Sequence, residues 1–519
     1  MSPDSNDAAL DRRDLLKSLA AAGLALPLAD TAVVRGEDAT PAGRPFANRI
    51  VEENQKPGTR DWQLTYVRTV GTNRRRSKLV EGYCGQTSVA AGETLEIFLS
   101  TEPAARVTID VYRLGYYGGL GGRHVTQLGP FDVATQPDPE VGPNRVRECR
   151  WSKAADLVIP KDWLSGVYVG KLTCDKHRYQ SYIIFIVRDD RRADVLFQCS
   201  DNTWQAYNKW PDEYSLYDTD PPVKALNGTT RVSFDRPFAK YPQVVDQPLT
   251  VGSGEFLCWE FPLAFWLEQH GYDVTYASNL DTHSRPDGLL RARTFLSVGH
   301  DEYWSLEMYR NVERAIQKGV NVAFLSGNSV CFVAPLAPSS DGRPNRTFHR
   351  AGRYGGLMEV EKPIMGPFDL EGPNENLLIG ARTVNPFNGS GDWIVTRADH
   401  WLFAGTGMKN GDRIPGIVGW EFHGDPAAIP GLEVVAQGTT VNGGDREATY
   451  TATVYPGPKG NWVFNASTIY WSMGLSTPPG FSPPFAHYGR PQGPDERVQR
   501  ITANFLAKCG CRAADAADA

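Results

Sequence analysis

Between residues 95 and 187 the chain alternates apolar and polar side chains in four short runs: Leu95–Phe98, Val107–Tyr112, Val167–Leu172 and Tyr182–Val187. A period of two sends successive side chains to opposite faces, so each run predicts a strand of an antiparallel sheet. The stretch after Tyr112, with Arg113–Gly119, reads as loop-rich. Its glycines suit tight turns, and Tyr116 and Tyr117 are placed to cap a neighbouring unit. The pattern changes at Ala193. Ala193–Gln198, Asp273–Tyr276, Arg293–Val298 and Val320–Leu325 read as strands, with helix-length segments at Trp259–His270 and Ser305–Lys318. Strand and helix alternating at this spacing predict a parallel, doubly wound sheet. Such sheets gather ligands at the carboxyl ends of their strands, so the loops after Gln198, Val298 and Leu325 are expected to meet.

These changes divide the chain. Residues 46–190 are expected to form a β-sandwich of immunoglobulin-like size, and 191–508 an α/β domain with a β-rich elaboration after about 340, leaving 509–519 as a tail. Residues 1–45 stand apart as signal and linker. Arg12-Arg13 precede Leu15-Leu16-Lys17 and an apolar run from Leu19 to Leu28, the pattern of a twin-arginine export signal. That run is shorter than the roughly 20 residues a spanning helix needs. An amphipathic N-terminal helix is the alternative. The signal predicts an exported protein, periplasmic or extracellular, that folds with any cofactor before export. No later segment is apolar for long enough to predict a membrane span.

Composition narrows the partners. Charged residues make up 22% and the formal net charge is −6, so no basic field is present to concentrate nucleic acid. With 51 Gly, 37 Pro and 13 Trp, 21 Tyr and 22 Phe, strands and turns are favoured over a helical bundle. The cysteines at 84, 149, 174, 199, 258, 331, 509 and 511 form no Cys-x-x-Cys pair or zinc ladder. Export permits disulfides, with Cys149, Cys174, Cys509 and Cys511 as candidate members. As lone thiols they would serve as small hydrophobes. Homo-oligomerisation is left open.

The candidate chemistry lies in the predicted strand-end loops. After Val298 comes Gly299-His300-Asp301-Glu302-Tyr303-Trp304, more polar groups than the end of a buried strand can hold without partners or a function. The bland alternative makes Glu302 a helix cap and His300 a satisfied core residue. The loop after Gln198 carries Tyr207, with Tyr217 shortly beyond, and packing is again the bland reading. Two phenolates and a carboxylate make an anionic, all-oxygen donor set, suited to a hard ion such as Fe(III).

In combination, "NTWQAYN", "SLYD", "GYDVTYASNLD", "GHDEYW", "LSGN" and "GWEF" resemble, in the same order, the large subunit of the iron-dependent N,N-dimethylformamidases and the wider group sharing its C-terminal domain. The resemblance covers roughly residues 78 to 508. It implies a mononuclear iron, expected as Fe(III), held by Tyr207, Tyr217 and Glu302. It further implies His300 and Asn328 beside the metal and Glu421 as the base, with a small amide hydrolysed to carboxylic acid and amine by metal-activated water. The sandwich stands first, without the large extra N-terminal region of the amidase, and nothing in this sequence implies that enzyme's small subunit. Two rivals remain in view. One is a cysteine-dependent amidase using Cys258 or Cys331, neither of which sits in a Gly-x-Cys-x-Gly elbow. The other is an exported binding module that keeps the fold without the activity.

Overall fold

The alternating runs near the start of the chain become the strands Thr94–Ser100, Ala105–Leu114, Gly166–Cys174 and Gln180–Arg188. The computed structural model describes residues 48–514 apart from 220–225, 227, 245–246, 360, 363–364, 367, 385–388, 443–445 and 488. Arg12-Arg13 and the Leu19–Leu28 run lie outside the described residues. The chain is mixed α/β and rich in strands, with several sheets and few helices.

A three-stranded sheet of Glu81–Cys84, Thr94–Ser100 and Lys153–Val158 faces a five-stranded sheet that contains the other three runs. Leu95, Ile97 and Leu99 from the first meet Val107, Ile109, Leu172 and Phe185 from the second in one buried cluster. Each such side chain contributes about 1.5–3 kcal/mol on burial. The other face of the five-stranded sheet is buried as well: Tyr112, Val167, Val169, Tyr182 and Ile184 join a core that includes Val195, Phe197 and Phe261. Burial on both faces is why Tyr182–Val187 is almost continuously apolar.

The expected loop after Arg113 holds less loop than its glycines suggest. Arg113 is still within its strand, and after a turn at Tyr117–Gly119 the chain forms a twelve-residue strand, Gly122–Val133. That strand is the edge of its sheet, with only a bridge from Thr59 to Gly122 on its outer side among the described residues, and much of it is exposed, so no apolar stripe marks it. Tyr116 does cap the neighbouring part of the chain, its ring edge-on to Phe265 at 5.2 Å.

The second region is built on a nine-stranded sheet. Its order is Val274–Ser278, Ala193–Cys199, Ala292–Gly299, Asn321–Ser326, Trp462–Asn465, Glu447–Pro456, Glu433–Asn442, Gly389–Ile394 and Arg413–Val418. The first five run parallel and the rest antiparallel. The longer strands beyond residue 340 therefore extend the same sheet, and the shorter ones form small separate sheets. Side chains alternate across it: Phe295, Val322 and Phe324 pack with the helix Leu306–Gln317, while Leu296, Val298 and Leu325 pack in the cluster that holds Phe261–Gln269 and Glu496–Lys508. Helices thus cover both faces of the parallel part.

Three local expectations are corrected. The segment after Ala193–Cys199 is a helix, Asp201–Tyr207, not a loop. All seven of its residues are buried, so its polar side chains face protein and the helical stripe is hidden. Ser305, not Glu302, caps Leu306–Gln317, its Oγ accepting from Met308 N–H at 3.1 Å. All eight cysteines are free buried thiols, so neither Cys149 with Cys174 nor Cys509 with Cys511 forms a disulfide. Among the described residues no helix is long and apolar enough to cross a membrane.

Candidate metal centre

The site is assembled at the carboxyl ends of adjacent parallel strands, where successive loops open on the same side of the sheet. Tyr207 is the last residue of Asp201–Tyr207, the helix that follows strand Ala193–Cys199. Shortly beyond, Ser215 and Asp218 close a turn, Ser215 Oγ donating to Asp218 Oδ2 at 2.6 Å, and Leu216 N–H returns to Ala206 C=O at 2.9 Å. The turn lays the Tyr217 ring on that of Tyr207, 4.6 Å between centroids. Strand Ala292–Gly299 ends on a glycine at φ 67°, and a side chain there would collide with Trp259 Cβ and Glu260 Cγ at about 3 Å. Asp301 points back into the sheet, accepting from Gln198 Nε2 (2.6 Å), Ser297 Oγ (2.7 Å) and Asn279 Nδ2 (3.1 Å). Burial lifts its pKa to about 6. Its neighbour Glu302 faces the tyrosines, with its own N–H held by Thr203 Oγ1 at 3.0 Å.

After strand Asn321–Ser326 the chain turns at Gly327, where a Cβ would lie 2.3 Å from Glu421 O, so only glycine lets this turn approach the Glu421 segment. Asn328 follows at φ 53°, a conformation asparagine tolerates better than most residues.

Tyr207 OH donates to Glu302 Oε2 at 2.9 Å, and Tyr217 OH lies 2.6 Å from Tyr207 OH and 3.5 Å from the same Oε2. Asn328 Nδ2 donates to Glu302 Oε1 at 3.4 Å. His300 Nε2 is 2.9 Å from Glu421 Oε2 and 3.5 Å from Glu302 Oε2, and on its other side Nδ1 is 3.1 Å from Glu255 Oε2. All six expected residues, Tyr207, Tyr217, Glu302, His300, Asn328 and Glu421, thus converge. Tyr217 is half-buried and the other five are buried.

Burial and the nearby Glu302 charge push both phenols well above the ordinary tyrosine range. Burial raises Glu421 to about 8 against the opposing pull of His300. Burial works to lower the His300 pKa, but Glu421 and Glu255 outweigh it and hold it well above the usual value.

Four residues join the site that no motif had singled out for it. Tyr303 OH donates to Tyr217 OH at 2.8 Å, and buried Arg350 donates to Tyr303 OH at 3.1 Å with its guanidinium 4.8 Å above the Tyr217 ring. Glu255 holds His300, and Tyr241 OH lies 3.4 Å from the same imidazole nitrogen. Tyr303 sits inside "GHDEYW" and was visible as a motif member. Arg350, Glu255 and Tyr241 come from distant segments with no pattern of their own.

The residues present fit a cation. Three carboxyl groups surround one imidazole out of water; Glu421 Oε2 meets only that imidazole, at 2.9 Å, and neither Glu421 Oε1 nor Asn328 Oδ1 has a hydrogen-bond partner. A buried cluster of acids with oxygens to spare is costly unless positive charge offsets it. Two overlapping donor sets are available, Tyr207–Tyr217–Glu302 and His300–Glu302–Glu421, the ligand atoms of the latter all within 4.8 Å of one another. The first is all oxygen and hard, the second includes a borderline imidazole nitrogen, and the two share Glu302.

The family model described as N,N-dimethylformamidase beta subunit-like, C-terminal, matches residues 108–487, more than half the chain and every residue of this site. The chain belongs to this family. Among curated proteins none matches it. Membership brings the sandwich strands after residue 108, the parallel sheet and the antiparallel extension into one family unit.

Proposed function

We propose that the chain is an iron-dependent amidohydrolase that cleaves a small, formamide-type amide into a carboxylic acid and an amine. The observation that carries this reading is the convergence of two tyrosines and Glu302 beside Glu421, one oxygen of which has no partner, in a member of a dimethylformamidase-like family. In this reading Tyr207, Tyr217 and Glu302 hold the iron, which supplies Lewis acidity toward carbonyl and water when bound. Glu421 takes the proton from the attacking water and delivers it to the departing amine. His300, 2.9 Å from Glu421, and Asn328, whose amide already reaches the Glu302 carboxylate, offer hydrogen bonds to the substrate carbonyl as charge builds on its oxygen.

A thiol route lacks an activated thiol. Burial pushes Cys258 up to about 12 and Cys331 well above the usual thiol range, which leaves almost no thiolate. The test is turnover of small N-alkyl amides by protein purified without chelators, with iron measured in the same sample. Glu421→Gln is expected to keep its iron and lose turnover. Stoichiometric iron without hydrolysis of any small amide would favour a binding module over an enzyme.

Export through the Arg12-Arg13 segment is part of the same proposal. Replacing both arginines by Lys should leave the protein in the cytoplasm, and unchanged export would remove the twin-arginine route.

A further inference from the structure

Behind the site, the helix expected from Trp259 to His270 begins one turn too wide. Phe256–Glu260 is a π-turn, closed by Phe261 N–H to Phe256 C=O, before regular helix resumes at Phe261–Gln269. Such turns are rare and occur mostly as single insertions, frequently at functional sites. Their consequence here is geometric. In an α-helix residues five apart point about 140° away from each other, at 3.6 residues per turn. A π-turn, with i→i+5 bonding, brings them onto nearly the same face.

The residues so aligned are Glu255 and Glu260, both buried. Glu255 Oε2 lies 3.1 Å from His300 Nδ1. Glu260 Oε1 accepts from Ser200 N–H at 3.2 Å and from Trp204 Nε1 at 2.7 Å, and so grips the start and middle of the helix that ends in Tyr207. Between them, the end of strand Ala292–Gly299 leans on the same turn, where a side chain at Gly299 would strike Trp259 and Glu260. One turn therefore touches both segments that carry the site. Neither glutamate is paired with Lys or Arg in these contacts, and Glu255 Oε1 and Glu260 Oε2 have no hydrogen-bond partner. Two buried acids are a poor choice for stability alone, since each has a desolvation cost that an apolar residue would not.

We propose that Glu255 and Glu260 are positioning residues of the site, aligned by the π-turn: Glu255 fixes the His300 ring toward Glu421, and Glu260 sets the helix that presents Tyr207. The inference rests on the functional reading above only for its kinetic consequences. The orienting roles stand on the contacts themselves.

The experiment compares Glu255→Leu with Glu255→Gln, and Glu260→Leu with Glu260→Gln. Glutamine keeps an acceptor oxygen at the same place, and leucine does not. Crystal structures of the metal-free variants give the direct readout. Expected are a rotated His300 ring in Glu255→Leu and a displaced 201–207 helix in Glu260→Leu, with both glutamine variants close to wild type. In the iron-loaded proteins, Glu255→Leu should lose at least tenfold in kcat with KM changed less than threefold, and Glu255→Gln should recover most of it. Unmoved His300 and Tyr207 in the leucine variants, with only a lower unfolding temperature, would overturn the proposal. If wild-type protein neither holds iron nor hydrolyses amides, the functional reading fails, and the metal-free structures still decide the positioning roles.

Discussion

Two buried charged clusters in this molecule are built on opposite principles. Where the sandwich meets the α/β region, Arg113 and Glu268 are fully buried and answer each other with two contacts of 2.8 and 3.0 Å. Around them Tyr117 OH, Ser165 O, Tyr276 OH and the Asn54 amide complete the shell. At the strand ends, by contrast, Glu255, Glu302 and Glu421 crowd one imidazole, and Glu421 Oε1 and Glu255 Oε1 go without a partner. The first cluster matches one guanidinium with one carboxylate and leaves only Arg113 Nε without a partner, which lets a structural element repay most of its desolvation. The second sets three carboxyl groups on one imidazole and leaves acceptor oxygens without partners. Its cost makes sense only if something else occupies it, and that contrast separates a site from a core.

The contrast is broken most severely at Glu421. If that carboxylate is kept for proton transfer, Glu421→Gln should lower kcat by roughly 10²–10⁴, the range for a general base, with the fold and iron content retained. Steady-state kinetics with metal analysis checks it, and undiminished turnover would put Glu421 outside the mechanism. The opposite result is expected at the closed cluster. Glu268→Ala leaves the Arg113 guanidinium buried and unpaired, which should cost about 3–5 kcal/mol of stability in denaturant unfolding. Iron bound per folded molecule should not change.

A third prediction uses acid. His423 is buried between the site loops, Nε2 accepting from Ser329 N–H at 3.0 Å and Nδ1 2.6 Å from Asn465 Oδ1. Burial lowers its pKa from 6.5 to about 4. Between those values the unfolded chain binds the proton and the folded chain does not, so stability rises with pH through that window. The contribution of roughly 3 kcal/mol is complete above about pH 6.5 and lost on acidification toward pH 4. Urea titrations at pH 4.5 and 7 should show the difference, and His423→Gln should flatten it.

The smallest effect belongs to Tyr214. It lies in the sequence between the two site tyrosines, but its ring packs under Arg145 and Arg147 at 4.6 and 4.5 Å, away from Glu302. Tyr214→Phe keeps that ring and should change stability by less than about 0.5 kcal/mol, with iron content unaltered. A loss of iron in this variant would mean that proximity in sequence, not the strand-end geometry, defines the site.

What was legible in the sequence follows the same physics. The strands flanking His300 and Asn328 are apolar, short and separated by helical periods, so both their parallel order and the meeting of their loops could be read. Tyr207, Tyr217, Glu302 and Glu421 came from motifs whose resemblance supplied the roles, and spacing alone would have left the tyrosines as packing groups. The helix 201–207 was hidden because it is buried all round, and strand 122–133 because it is an edge with little to bury. Glu255 and Glu260 were illegible for a subtler reason. On a regular helix they would diverge, and the π-turn that aligns them has no sequence period.

The central claim is that Tyr207, Tyr217 and Glu302 hold iron. Tyrosine bound to Fe(III) as phenolate transfers charge to the metal and absorbs visible light, which neither free tyrosine nor a His300–Glu302–Glu421 site would do. The decisive measurement is the visible spectrum per bound iron, together with the iron occupancy, of wild-type, Tyr207→Phe and Tyr217→Phe proteins. The account predicts a coloured wild type, and in each Phe variant a shifted or weakened band with iron held less tightly and the fold intact. Wild-type protein that binds iron without a visible band, or Phe variants with an unchanged spectrum and occupancy, would contradict it.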